Sequence, residues 1–198
     1  VTDNPLVFPD EDKIVSGGNF HGQPLALTLD RLTLAVHEIA SISERRVFKL
    51  MSGTRNLPAF LAKDPGLNSG FMIVQYTAAS LVSLNKQLTT PSSADNADSS
   101  NGQEDHVSMG ANAALKLWQV IEQAEQVLAI EALCAAQASD LGQFAGLGDM
   151  SPKLQMLHDA FRVELPFLEE DAYMSPFLES AHEFIALNSP EDIVNAVN

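Results

Sequence analysis

The sequence is short of several things, and each shortage excludes something. Of its 198 residues one is cysteine, Cys134, so no internal disulfide framework exists and no thiolate cluster can hold zinc. Lysine and arginine number 11 against 26 acids, a formal charge of -15 that argues against nucleic acid or an anionic membrane surface as partner. No apolar run approaches the roughly 20 residues of a membrane span. The opening "VTDNPLVFPDEDK" is polar and proline-broken where a signal peptide needs an apolar stretch. A soluble, cytoplasmic protein is expected. The first residue is Val1 rather than methionine, a hint of a longer parent chain. The five histidines (His21, His37, His106, His158, His182) show no zinc-type spacing, so no metal site is expected. "VSGGNFHGQP" is glycine-rich but has neither the GxGxxG nor the P-loop spacing.

What is present reads as helix. Apolar residues make up 45% and charged residues 19%, which places the chain among globular proteins. Residues 1–24 carry Pro5, Pro9, Gly17, Gly18, Gly22 and Pro24 and read as extended chain and turns. Leu25, Leu29, Leu32, Val36 and Ile39 then follow steps of three and four, one face of a helix running to about Met51. Leu27 and Leu34 add a second apolar face that needs cover from a large bundle or an oligomer. Residues 53–69 are a connector. A second helix is expected over 70–88, with Ala78, Ala79, Ser80 and Ser83 allowing close helix approach, and a polar loop over 89–103. The third helix is expected from Val107 to Ala138, on a stripe of Leu117, Val120, Ile121, Ala124, Val127 and Leu128. At 1.5 Å per residue it spans on the order of 45 Å.

A break at Gly142, Gly146 and Gly148 precedes a smaller C-terminal part, where Ser151-Pro152 and Ser189-Pro190 each set a cap before a first-turn proline. Another short helix is expected between Pro176 and Leu187. No strand pattern stands out. The fold class is all-α: a long-helix bundle over residues 1–141 and a small helical region over 142–198, in one structural unit.

Two stretches resist a purely structural explanation. In "SGGNFHGQP" glycines flank Phe20 and His21. That is either a tight turn with an anchoring aromatic, or a loop whose backbone approaches a ligand with Phe20 as an apolar wall. In "GQEDHVSMG" the acids Glu104 and Asp105 either decorate a helix entrance or serve a site. The residue types alone leave both choices open.

Those stretches, with "DNPLVFPDE", "SISERR", "LPAFL", "GLNSGFMI" and "TAASLVSLNK", resemble in order and spacing the C-terminal part of the aromatic amino acid ammonia-lyase family. "NFHGQP" and the acid of "QEDH" are similar to its histidine ammonia-lyase branch; phenylalanine and tyrosine lyases more often show "NQD". The resemblance implies a largely helical homotetramer that eliminates ammonia from L-histidine to give trans-urocanate. It also implies a methylidene-imidazolone electrophile, formed autocatalytically from an internal Ala-Ser-Gly. Carried over residue by residue, Phe20 lines the pocket and Glu104 faces the substrate, holding its imidazole or moving a proton. Gln103 and His21 are implied as neighbouring substrate-binding members, and Asp105 and His106 as braces of the loop.

The departures matter equally. The sequence contains no Ala-Ser-Gly, so the electrophile is expected on an N-terminal part of the same enzyme. Tyr76 and Tyr173 stand in no matching motif, and Gly102 replaces the asparagine common in relatives. The chain alone is expected to be inactive. The alternatives are a non-catalytic helical assembly module, and a lyase or aminomutase acting on phenylalanine or tyrosine.

Overall fold

The computed structural model describes residues 2–94, 96–144 and 148–195. Its frame is three long helices: α1 (Gln23–Met51), α2 (Met72–Leu88) and α3 (Gly110–Phe144). Helix α1 begins where Gly22 takes a φ of 76° that side chains disfavour, and Pro24 occupies its first turn. A proline's missing N–H costs nothing there, so this residue opens the helix and does not belong with the breakers before it.

Helices α1 and α3 lie side by side and run in the same direction. Ser43 donates to the Val127 carbonyl (3.4 Å, 84 residues apart) and to Glu131 (2.7 Å, 88 apart), and Arg46 grips Glu131 from 85 residues away. Toward the other end Asp30 faces Lys116 across 3.6 Å. A nearly constant sequence offset along both helices is the signature of parallel packing. Helix α2 makes the return journey. Gln75 near its start donates to Glu44 near the end of α1, and beyond its C-terminus the Ser93 carbonyl receives Gln23 from the start of α1.

The seam of α1 differs from the stripe expected of it. Its buried residues are Ala26, Asp30, Thr33, Ala40, Ser43, Glu44, Val47 and Met51. Of the expected stripe Leu25, Leu32 and Ile39 point outward, Leu25 70% and Ile39 52% exposed, while Leu29 and Val36 are half-buried. Both sets recur at helical spacing, so periodicity alone could not choose between them. Small side chains won because they let two backbones approach closely. On α3 the expected positions Leu117, Val120, Ala124 and Val127 are buried, while Ile121 turns out. On α2 Ala78 is buried and Ser80 and Ser83 are exposed.

Helix α3 starts later and ends later than expected. Met109 has a φ of 53°, which no α-helix accommodates, so the first turn opens at Gly110. It continues through Gly142, which is buried within it. Gly146 lies outside the described residues. Then follow α4 (Pro152–Glu164), α5 (Ser175–Leu187) and α6 (Pro190–Asn195), with the Ser151 hydroxyl capping Leu154 N–H at 3.4 Å. Polar clamps dock this region. Gln137 exchanges two hydrogen bonds with the Leu168 backbone (2.7 and 3.2 Å), and Asp171 receives the N–H groups of Ser69 and Gly70. Gly70 has no substitute, because a Cβ there would lie 2.5 Å from the Phe60 carbonyl oxygen. Phe161, Leu165 and Ala181 join Leu133, Ile130 and Val127 in one core cluster. Burying such a side chain contributes about 1.5–3 kcal/mol each.

The segment expected to be only extended chain and turns holds a small antiparallel hairpin, β1 (Leu6–Phe8) and β2 (Lys13–Val15), with Leu6 opposite Val15. Strands of three residues are too short to show an alternating pattern. Among the described residues no helix is long and apolar enough to cross a membrane.

Leu25, Leu32, Ile39, Leu115 and Trp118 lie exposed on α1 and α3, large apolar side chains of the kind that mark an interface. The isolated chain is therefore expected to self-associate at micromolar concentration in sedimentation velocity. A single species of 21.4 kDa would contradict this.

Candidate functional site

Parallel packing of α1 and α3 has a direct consequence for the two stretches singled out above. "SGGNFH" precedes α1 and "SNGQEDHVSM" precedes α3, so both are delivered to the same end of the helix pair. Asn19–His21 form a single 3-10 turn, which presents Phe20 outward, 47% exposed. The His21 Nε2–H donates to the His106 carbonyl at 3.0 Å, and the two imidazole rings stack with centroids 5.3 Å apart. A carbonyl only accepts, so His21 carries its proton on Nε2. The structure thus brings Phe20, His21 and the Gln103–His106 segment together.

The second loop is built without helix or sheet. Ser99 and Glu104 exchange backbone hydrogen bonds of 2.9 and 3.2 Å, closing a small ring over Ser100, Asn101 and Gly102, all at positive φ. Glycine adopts that conformation most easily, which suits Gly102. Gln103, Glu104 and Asp105 are exposed. Helix α3 has no acid in its first turn, and Gly110 lies beyond Glu104 by more than a helical turn. The helix-entrance explanation for these acids is therefore ruled out.

The polar loop expected over 89–103 is organised by two side chains that sequence reading missed. Asp30, buried at 6% exposure, accepts the N–H groups of Ser92 (3.1 Å) and Ser93 (2.8 Å). Lys116 donates to the Thr90 carbonyl and faces the same carboxylate. Asn96 donates to the Asp105 carbonyl (3.2 Å) and accepts from Val107 N–H (3.3 Å), with His106 Nδ1 also at 3.2 Å. A lone acid inside the leucine-rich stretch "LALTLDRLTL" was the available signal for Asp30. Asn96 had none beyond its residue type.

The electrostatics of this end are set by two helix N-termini. Neither α1 nor α3 has an acid in its first turn, and α1 has no side-chain cap, so unpaired N–H groups and the positive ends of both dipoles face the loops. Such an end favours anionic or strongly polar ligands near a hydrophobic wall such as Phe20. A larger recess of about 590 Å³ lies elsewhere, between α3, α4, α5 and α6, but its walls are mainly Leu, Ala, Phe and Ile. Convergent polar groups of the kind that orient a substrate stand at the two loops instead. Among the described residues no three His, Cys, Asp or Glu side chains gather as a metal site.

The class of protein is a helical frame that carries two exposed, irregular loops at one end, joined by the His21–His106 contact. Comparison with known proteins gives that class its family. Residues 1–163 match the aromatic amino acid lyase family, and the chain belongs to it. It is 53% identical to a histidine ammonia-lyase of Deinococcus radiodurans over 90% of this chain and 33% of that protein. The structure of histidine ammonia-lyase from Trypanosoma cruzi superposes with a TM-score of 0.91 at 44% identity, covering 98% of this chain and 38% of that one. Tyrosine aminomutase from Streptomyces globisporus superposes at 0.89 with 34% identity, over 98% of this chain and 37% of that one. The chain therefore spans about a third of the length of these relatives.

The Asp30 clamp has a pH signature. Burial pushes its carboxyl up, but the Ser93 hydroxyl, the N–H groups of Ser93 and Ser92 and the Lys116 charge together hold it below the ordinary 3.8. A carboxyl lowered by folding stabilises above its unfolded value, and that contribution vanishes as pH falls through the folded value. Replacing Asp30 by Asn should cost about 1–3 kcal/mol near neutrality. The gap to the parent should close once the pH is well below 3.8. Urea unfolding midpoints at both pH values check this; a gap of equal size at each would contradict it.

Proposed function

We propose that this chain is the C-terminal part of a histidine ammonia-lyase, which eliminates ammonia from L-histidine to give trans-urocanate. The observation that carries the reading is the meeting of the Phe20–His21 turn with the Gln103–His106 loop at one end of the parallel pair, in a chain so similar to histidine ammonia-lyases. In the reaction the Cα–N bond breaks, a β-proton leaves and a double bond forms between the two carbons. Phe20 supplies an apolar wall against the substrate ring. The Glu104 carboxylate accepts a hydrogen bond from the substrate imidazole N–H, fixing its orientation, and stands ready to hold a proton. Gln103 and His21 border the same space.

The methylidene-imidazolone of this family draws electron density from the substrate and makes the β-proton acidic. No Ala-Ser-Gly occurs in this sequence, so the group has no origin here and belongs to an N-terminal part of the enzyme. That part is the principal partner of this chain. The exposure of Phe20 supports this, because the wall it forms needs an opposite side. The outward leucine faces of α1 and α3 support assembly into a homotetramer, with the long helices buried at its centre. A cytoplasmic location agrees with the single buried thiol, Cys134.

A tyrosine or phenylalanine lyase or aminomutase is the second reading, favoured by the tyrosine aminomutase likeness. Glu104 discriminates against phenylalanine, since an imidazole N–H or a tyrosine hydroxyl can donate to a carboxylate and a phenyl ring cannot. In the full-length enzyme Glu104→Gln is expected to lower histidine turnover by about a hundredfold, and Phe20→Ala to raise KM more than it lowers kcat. Urocanate formation followed in the ultraviolet measures both. Unchanged histidine turnover in Glu104→Gln would rule out the role given to that carboxylate.

A further inference from the structure

We propose that Asn96 is the positioning residue of the Glu104 loop, joining it to the body of the protein and, through His106, to the Phe20 turn. The proposal rests on the reading of Glu104 as a substrate contact. Residues 99–104 close only on themselves, through the Ser99–Glu104 backbone pair, and α3 does not begin until Gly110. Between those points, over residues 105–107, the described hydrogen bonds are the one from His21 to the His106 carbonyl and three made by a single carboxamide. Asn96 Nδ2 donates to the Asp105 carbonyl at 3.2 Å, and Asn96 Oδ1 accepts the Val107 N–H at 3.3 Å. Both partners are main-chain groups of fixed polarity, so the amide has one possible orientation.

That orientation fixes the next link. With Oδ1 an acceptor, the His106 Nδ1 at 3.2 Å must be the donor, which holds the ring in one tautomer and one rotamer. The His106 carbonyl in turn receives His21 Nε2–H, and the two rings stack. Asn96 is itself tethered, because Ser93, just before it, is gripped by Asp30 of α1. The path Asp30, Ser93, Asn96, His106, His21 thus links α1 to the Glu104 loop and back to the Phe20 turn. Asn96 touches neither a reacting atom nor Glu104's side chain. It sets where the Glu104 backbone sits, and displacing a reacting group by even an ångström costs rate.

The test compares Asn96→Ala, Asn96→Asp and Glu104→Gln in the full-length enzyme, by kcat, KM and thermal unfolding. Aspartate keeps an acceptor for Val107 and His106 but sets a carboxylate oxygen against the Asp105 carbonyl where the donor stood. Asn96→Ala is expected to lower kcat about tenfold with KM changed less and the unfolding temperature unmoved, and Asn96→Asp, which keeps the Val107 and His106 bonds, to fall between it and the parent. The positioning role is overturned by an Asn96→Ala enzyme with parental kcat beside an impaired Glu104→Gln enzyme. Equal impairment of the alanine and aspartate variants overturns it as well. So does a loss of activity in Asn96→Ala that merely tracks loss of folded protein. An unimpaired Glu104→Gln enzyme removes the reading of Glu104 itself, and this role with it.

Discussion

The parallel contact between α1 and α3 is the constraint on which everything else depends. Two helices joined by a single returning helix can run parallel only if the chain travels the full length of the bundle between them, and α2 does this. The seam is made of small and polar side chains, with Ala26, Thr33, Ala40 and Ser43 on α1. Buried polar groups are costly unless paired, and Thr33, Ser43 and Glu44 are paired. Ser43 and Arg46 converge on Glu131, while Gln75 and Arg45 converge on Glu44. The Glu131 hydrogen bond raises the Arg46 guanidinium further above its already high value, so Arg46 stays charged. Breaking one partner of such a network would strand a charge, which gives the seam a single register.

Register is what the site requires. Because the offset between the helices is constant, the turn before α1 and the loop before α3 arrive at one place without any need to attract each other. The hydrogen bond from His21 to the His106 carbonyl and the stacking of their rings then lock a meeting the helices have already arranged. The loops themselves are weakly structured, closed by short backbone rings and side-chain amides. A rigid scaffold carrying irregular loops is a common division of labour in enzymes. At the opposite face, Gln137, Asp140 and Asp171 dock the C-terminal helices onto the frame, Asp140 by gripping Arg162 and His158.

Much of the helical frame was legible in the sequence, because long helices leave long periodic traces and their ends are marked by Gly22, Gly53, Ser151-Pro152 and Ser189-Pro190. What was illegible follows from physics. The face of α1 was misread because leucines and small residues recur at the same spacing, and only the partner decides which is buried. The start of α3 was placed at Val107 because nothing in "HVSMG" announces that Met109 will take a positive φ. The hairpin at Leu6–Val15 is too short for a pattern. At the proposed site, Phe20 and Glu104 stand out through their motifs alone. The meeting of their two loops, and the parts played by Asp30 and Asn96, depend on contacts some 60 to 85 residues apart or on a single amide's orientation, which no local pattern encodes.

The central claim is that the turn before α1 and the loop before α3 form one wall of one pocket. Hydrogen–deuterium exchange of the full-length enzyme, with and without urocanate, tests it most directly. The account predicts slower exchange in both residues 17–22 and residues 99–109 on binding, with the outward faces of α4 and α6 unchanged. Protection of neither segment, or of one without the other, would contradict it.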